Sequence, residues 1–479
     1  MVETGSPSVA LADIRNELEL LLAEQKSNPG VTGAAVAVRS GDETFELAHG
    51  IANINTGEAF RTDTAWLLGS VTKVLVTTVV LRLVERGAIA LDAPVRRYLP
   101  EFGLVDSAAA DSITVRMLLN HTNGIDADTF VPASVSGPQA HRSYVDALVA
   151  RSVLFDPGCG IHYSNPGFVL AARLIESQTG LDFEQAMDRE LFGPAGMATA
   201  TSARHPTAGT AIGSYPDSTG RMRASTSFAM PDSCAGAGAT TLVTLADMLA
   251  FGQVILNRGI ACTGERILST TSVVHAQEES YSLAVPHLPS VGLGWWRVPI
   301  ADTVALWHGG GSPGGTSSFT VLPEHDTAIV SYVSGPDKLL HDRLHNTVIE
   351  RTVRGRALSP EFDRSAGIDP NAAGTYRQFQ FETNLEVLEE RLVQRTRFLP
   401  HDEEHSRTLR GFVGGEPDLP PITYRSAGPG LFTPAAAPDS ALEGFYGRFA
   451  ILGLLAPAAG RPAGIFQRLR FEPRVRRTT

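Results

Sequence analysis

The sequence predicts an α/β (α+β) fold: an antiparallel sheet flanked by helices, a helical subdomain, and a small C-terminal β domain. Three observations carry this. Strand-like segments occur early, at Val31 to Val38 and Glu43 to Ala48, and again late, between Gly292 and Ser334, so one sheet is begun near one end and completed near the other. Mainly helix-like segments lie between them. After Gly374 the pattern changes to short alternating segments separated by Pro/Gly clusters. The expected division is 1–357, a linker at 358–373, and a mostly-β unit at 374–479.

Leu11, Ile14, Leu18, Leu21 and Leu22 recur at helical spacing, so an amphipathic helix covers 10–25. Ser40-Gly41-Asp42 reads as the turn of the first hairpin. The run from Leu68 to Lys73 and on through Val74 to Leu81 is apolar enough for a helix buried on nearly all sides, ended by Arg86-Gly87. A short helix opens on Asp111 or Ser112 and stops at Leu119, before the polar loop Asn120-His121-Thr122-Asn123-Gly124. Phe168 to Gln178 is a helix capped by Gly180. Residues 200–230, rich in small residues, read as a long surface loop, and Thr244-Leu245-Ala246-Asp247 as a capping box opening a helix through Leu256. Four late strands are expected at Gly292 to Val298, Thr303 to Trp307, Ser317 to Val321 and Ala328 to Val333, then a helix from Asp337 to Val353. Leu358 to Ala373, rich in Pro, Gly and Asp, is the expected linker. Beyond it, Leu385 to Phe398 and Phe466 to Val475 read as strands, with helix an open alternative for 384–396.

The chain has 479 residues, 43% hydrophobic, with a net charge of −11 and no basic run, which argues against nucleic-acid binding. Cys159, Cys234 and Cys262 lie far apart without metal-ligand spacing, so no disulfide framework, metal or cofactor is expected. Met1 to Ser6 lacks the basic and apolar regions of a signal peptide, and no apolar run reaches membrane length; the expected location is cytoplasmic, with no membrane partner.

The chemistry starts at Leu68-Gly69-Ser70-Val71-Thr72-Lys73. Ser70 and Lys73 share one face of the first helical turn, at an N-terminus whose free N–H groups favour developing negative charge. Of the 40 basic residues only Lys26, Lys73 and Lys338 are lysines. Arg cannot give up its proton in a protein; a desolvated Lys can, and then serves as a base. Tyr163-Ser164-Asn165 lies in a Pro/Gly-punctuated loop before a helix, where a phenol beside a cationic amine is expected to have its pKa lowered and to trade protons. His308-Gly309-Gly310-Gly311 follows a strand, and its glycines allow a ligand close to the backbone. Gly310-Gly311-Ser312-Pro313-Gly314 fits the Gly-x-Ser-x-Gly elbow, but a strand follows where that elbow needs a helix. His121 reads as a loop histidine satisfied locally rather than a base.

Ser-x-x-Lys, Tyr-x-Asn and His-x-Gly, in that order, resemble the serine β-lactamase and penicillin-binding-protein family over roughly 10–355. The resemblance is closest to its class C-like branch of esterases, D-aminopeptidases and acyltransferases, including penicillin-binding-protein-type cyclising thioesterases with a small lipocalin-like C-terminal domain. Leu118 to Gly124 and Tyr163 to Gly167 also look like stretches of that branch. The resemblance implies Ser70 as nucleophile, Lys73 as its base, Tyr163 as proton donor to the leaving group, and Asn165 orienting substrate and Lys73. It further implies His308, Gly309 and Gly310 as substrate-binding residues and the N–H groups of Ser70 and Gly311 as the oxyanion hole. Where β-lactam-binding members usually carry Lys-Thr-Gly, this chain has His308-Gly309-Gly310, which argues against β-lactamase activity. The implied reaction takes a small-molecule or peptide acyl donor to an amine acceptor (as in peptide cyclisation or antibiotic biosynthesis), or to water. A non-catalytic acyl-binding role is the third alternative. Trp295, Trp296 and Trp307 read either as an acceptor wall or as core of the sheet.

Overall fold

The computed structural model describes residues 11–475 except 26, 27, 29, 133, 301, 302, 354–360 and 418; the stretch Met1 to Ser6 and the start of the expected linker lie outside the described residues. Helix α1 (Leu11–Glu24) is followed by the hairpin β1 (Gly33–Ser40) and β2 (Glu43–Asn53). The buried helix is α2 (Thr72–Glu85), entered through a 3₁₀ turn over Gly69–Val71. Next come α3 (Asn165–Thr179) and α4 (Leu245–Leu256), then β3 (Trp296–Ile300), β4 (Thr303–Ser312), β5 (Gly315–Leu322), β6 (Thr327–Ser334) and α5 (Leu339–Thr352). The first sheet has eight strands and runs, from one edge, Glu58–Ala59, β2, β1, β6, β5, β4, β3, Ser290–Val291, every pairing antiparallel. Early and late strands thus meet at β1 and β6, with Ala34 opposite Val333 and Val38 opposite Ile329.

Both faces of this sheet are covered. Ala35 and Ala37 of β1 join a core with α2, α3 and α4, while Ala34, Val36 and Val38 join a second with α1 and α5. That alternation is the two-residue period of a strand. Against the first face, α4 approaches so closely that a Cβ on Gly252 would lie 2.9 Å from that of Ala328. The capping box at Thr244 and Asp247 is formed. Helix α2 buries all but Arg82, Val84 and Glu85.

Several boundaries differ from expectation. The helix expected from Asp111 or Ser112 is two short ones, Ser107–Ser112 capped by Asp106 and Val115–Leu119 capped by Thr114. The segment 200–230 holds three short strands and buries Ser214. Gly292 to Trp295 lie between the short strand Ser290–Val291 and β3, and β4 runs through the glycines to Ser312 rather than ending at Trp307. Continuation is possible because β4 pairs with β5 along its whole second half, from Leu306 opposite Val321 to Ser312 opposite Gly315, and that ladder outweighs the poor strand propensity of glycine.

The C-terminal sheet is an eight-strand antiparallel meander: β7 (Gly374–Arg377), β8 (Phe381–Leu388), β9 (Arg391–Phe398), β10 (Leu419–Gly428), β11 (Leu431–Pro434), β12 (Leu452–Leu455), β13 (Gly464–Gln467) and β14 (Arg470–Pro473). Tyr376 bridges Arg474, and Val475 N–H donates to Thr375, so the sheet nearly closes into a barrel. Residues 384–396 are therefore a hairpin, not a helix, and Phe466 to Val475 is a hairpin turning at Arg468–Leu469. Helix α6 (Glu403–Val413) is inserted between β9 and β10. The buried helix Phe445–Arg448 sits where Asp342 of α5 accepts from the N–H groups of Tyr446 and Gly447 at 3.0 and 2.8 Å.

Candidate active site

Ser70 lies on the turn that opens α2, where Gly69 takes a φ of 63°. Strand β4 runs directly against this turn. A Cβ on Gly69 would lie 2.6 Å from Gly311 N, and one on Gly310 would lie 2.2 Å from Leu68 O and 3.2 Å from Ser70 N. The two-residue turn Pro313–Gly314 makes Ser312 and Gly315 a hydrogen-bonded pair, so the next pair, Gly311 and Thr316, directs the Gly311 N–H away from β5. β3 pairs with β4 only up to Trp307, which leaves that edge open toward Ser70. Two backbone donors, from Ser70 and Gly311, thus flank the space beside the Ser70 hydroxyl, the arrangement an oxyanion needs.

Lys73 is fully buried; its Nζ donates to Ser70 Oγ at 3.1 Å and to Ala237 O at 2.7 Å. Burial lowers its pKa to about 7, with the Arg470 charge acting in the same direction and Asp128 opposing. A substantial fraction is therefore neutral near pH 7, as a base requires. Tyr163 lies beside Ser70 on the same cavity, its ring centroid 4.9 Å from Lys73 Nζ. Its pKa is raised, not lowered as expected: burial outweighs the Ser70 hydrogen bond and the Arg470 charge. The phenol therefore holds its proton and suits the role of donor or relay.

Asn165 departs from its expected position. As the first residue of α3, capped by Ser164, it turns its amide to Asp128 Oδ1 at 2.9 Å. Asp128 also pairs with Arg470 at 2.5 Å, and the Arg470 guanidinium lies 5.6 Å from the Tyr163 ring centre. Asn165 thus reaches Lys73 through the Asp128 charge, and Ala237 O supplies the contact expected of its amide. His308 is buried, with Nδ1 on Gly309 O at 2.7 Å, and burial lowers its pKa to about 3, so this strand position carries no charge. His121, at a φ of 60°, accepts from Ser164 N–H through Nδ1 at 3.1 Å and packs between Tyr163 and Trp296; it supports the loop.

Ser70, Tyr163 and His308 to Gly311 open onto a cavity of 430 Å³. Trp296 and Trp307 line it while also belonging to the core under α5, and Trp295 packs in the other core. The opposite wall is the C-terminal barrel: Phe412, Tyr446, Phe449, Arg468, Leu469 and Arg470. The hairpin tip puts Arg468 and Leu469 at φ of 50° and 63°, a strained turn for non-glycine residues, and Leu469 O accepts from Tyr163 N–H at 2.9 Å. Lys338 and Arg468 also face this cavity. The cavity's positive charge is thus on Lys338, Arg468 and Arg470, not at His308. Sequence reasoning missed Asp128 and every barrel residue of the site. Among the described residues, no group of three or more His, Cys, Asp and Glu could hold a metal ion, and no helix is long and apolar enough to cross a membrane.

The sign of the pH dependence follows from Lys73. With Lys73 as the base, acylation would need the neutral amine, and its rate would rise with pH through about 7. Asp128→Asn removes a charge that raises the Lys73 pKa and leaves Arg470 uncompensated. The acid limb of a rate–pH profile should move down by roughly one pH unit; an unmoved limb would disconnect Asp128 from the base.

The Beta-lactamase family model matches residues 18–354, and the chain belongs to that family, a group of serine hydrolases and acyltransferases. Penicillin-binding protein 4 of Amycolatopsis lactamdurans is 31% identical over 311 residues, 61% of this chain and 78% of the relative. Monacolin J acid methylbutanoyltransferase of Aspergillus terreus is 27% identical over 220 residues, 40% of this chain and 53% of the relative. The crystal structure of SurE superposes with a TM-score of 0.71 at 21% identity, covering 97% of this chain and 100% of SurE, so the fold is shared through the barrel.

Proposed function

We propose that this protein is a serine acyltransferase, moving an acyl group from an ester, thioester or activated amide through Ser70 to an amine. Neutral Lys73 takes the Ser70 proton as Oγ attacks the donor carbonyl, and the Ser70 and Gly311 N–H groups hold the oxyanion. Tyr163 protonates the leaving group and then relays the proton from the incoming amine. The observation that carries transfer over hydrolysis is the aromatic wall of Trp307, Phe412, Tyr446 and Phe449 over Ser70. An apolar cover excludes water from the acyl-enzyme and favours an acceptor that binds the wall. The relative named as a methylbutanoyltransferase supports this reading. Water as acceptor, giving a hydrolase, is the second reading, favoured by the open side that the cavity keeps. The division into units at 1–357 and 374–479, with His308 to Gly310 contacting substrate and Asn165 acting through Asp128, belongs to the same proposal.

The test is intact-mass detection of the Ser70 adduct with simple esters, thioesters and a penicillin, with and without amines. An adduct cleared faster by amine, with amide product, is expected. Clearance indifferent to amine would make the protein a hydrolase, and a Ser70→Ala variant that still forms the adduct would remove Ser70 from the chemistry.

A further inference from the structure

Three consecutive glycines are a poor support for an oxyanion donor, because glycine gives up more backbone freedom on ordering than any other residue. Beyond Trp307, moreover, β4 has a strand neighbour on one side only, since β3 pairs no further. A donor serves a transition state only when held to within about 0.5 Å of its place. The hold on Gly311 has to come from outside its own strand.

The glycines meet different elements. A Cβ on Gly310 would lie 2.2 Å from Leu68 O, beneath the Ser70 turn. On the opposite face, one on Gly309 would lie 2.6 Å from Tyr446 Oη, and one on Gly311 would lie 3.0 Å from the Phe412 ring. The alternation is that of a strand, so the C-terminal barrel lies against the face that looks away from Leu68.

Tyr446 is bonded there as well as packed. Its hydroxyl donates to Ser317 O at 2.5 Å and stands 3.4 Å from Gly310 O. Gly310 lies opposite Ser317, and two positions from the Ser312–Gly315 pair they form the next hydrogen-bonded pair of the ladder. The Gly310 carbonyl and the Gly311 N–H share one peptide plane, so what fixes the carbonyl aims the N–H. Tyr446 is itself immobilised. Its N–H donates to Asp342 of α5 at 3.0 Å, and its ring meets those of Trp307 and His341 at 5.3 and 5.4 Å between centroids. Burial raises its pKa, so the hydroxyl keeps the proton that it donates.

We infer that Tyr446 is a positioning residue for acylation: through the Gly310–Ser317 pair, its hydroxyl holds the Gly311 N–H on the oxyanion. The C-terminal barrel thereby completes the oxyanion hole as well as walling the cavity. The inference rests on the acyl-enzyme reading above. The wall belongs to the Tyr446 ring and the bracing to its hydroxyl, so Tyr446→Phe separates them.

The test pairs one activated ester with its thionoester, whose sulfur accepts hydrogen bonds weakly, and reads Ser70 adduct formation against donor concentration. In Tyr446→Phe the maximal acylation rate with the ester should fall about tenfold, and the half-saturating donor concentration should stay within about twofold. Melting should shift by no more than about 4 °C. The thionoester gains little from the hole and should lose less than about threefold, so the preference for oxygen over sulfur shrinks. The carbonyl stretch of the ester-derived acyl-enzyme should move to higher wavenumber as its hydrogen bonds weaken. An unchanged ester rate would overturn the inference. So would a loss shared equally by ester and thionoester with the carbonyl stretch unmoved, which would make the hydroxyl merely structural. Either result leaves the Ser70 chemistry standing, whereas no wild-type adduct from any ester would overturn the acyl-enzyme reading and this inference with it.

Discussion

Lys73→Arg is expected to slow acyl-enzyme formation by about 10³-fold at neutral pH. The charge and hydrogen-bonding capacity are kept, but a guanidinium cannot reach the neutral form that burial gives the Lys73 amine at a pKa of about 7. The site is fully enclosed, so the larger side chain also strains its surroundings, by roughly 1–3 kcal/mol. Lys73→Met separates the two effects. It is close in volume, lowers the cost of burial, and should match or exceed the wild type in thermal unfolding while losing acylation to the same extent. Rapid adduct formation by either variant would place the base elsewhere.

Gly310→Ala carries the second large effect. A single methyl group there would meet Leu68 O and Ser317 Oγ, each at 2.2 Å, and Ser317 Oγ itself donates to Leu68 O at 2.6 Å. Neither neighbour has room to retreat, so β4 must move off the Ser70 turn and the two oxyanion donors separate. Acylation should fall by about 10²–10³-fold, with a loss of stability of roughly 1–3 kcal/mol. Gly311→Ala is the informative contrast. Its methyl meets only the Phe412 ring tip at 3.0 Å, and a side chain can turn aside where a backbone carbonyl cannot. Comparable losses in both variants, measured by adduct rate and by melting, would break the argument from backbone contact.

The part of the site that could be read from the sequence is the part built by local spacing. Ser70 and Lys73 share a helical turn, and the chain's near-exclusive use of Arg makes Lys73 conspicuous. Tyr163 and the glycines of β4 were recognisable as a set. Two kinds of information were not local. Strand propensity ends β4 at Trp307, because nothing nearby says that Gly309 to Gly311 pair with Ser318 to Thr316, or that Gly310 must lack a side chain to pass Leu68. The barrel's share was hidden more deeply. A two-residue hairpin turn is usually written Asn-Gly, and here it is Arg468-Leu469, held at positive φ by its surroundings, so Phe466 to Val475 reads as one strand. Asp128, in an irregular loop, shows its role only when Arg470 arrives 342 positions later.

That same distance in the chain imposes an order on time. The sheet begun at β1 is complete once β6 and its neighbours are made, and the early segments can pack as a ribosome adds residues at about 5–20 per second. The backbone bond from Tyr163 to Leu469, and the Arg470 charge that helps keep Lys73 neutral, cannot form until the β13–β14 hairpin emerges. A nascent chain halted between β6 and β13 would hold a folded serine site whose base retains its proton more firmly and whose phenol lacks its anchor. On the proposed mechanism, reactivity toward activated acyl groups thus waits for the hairpin that carries Leu469 and Arg470.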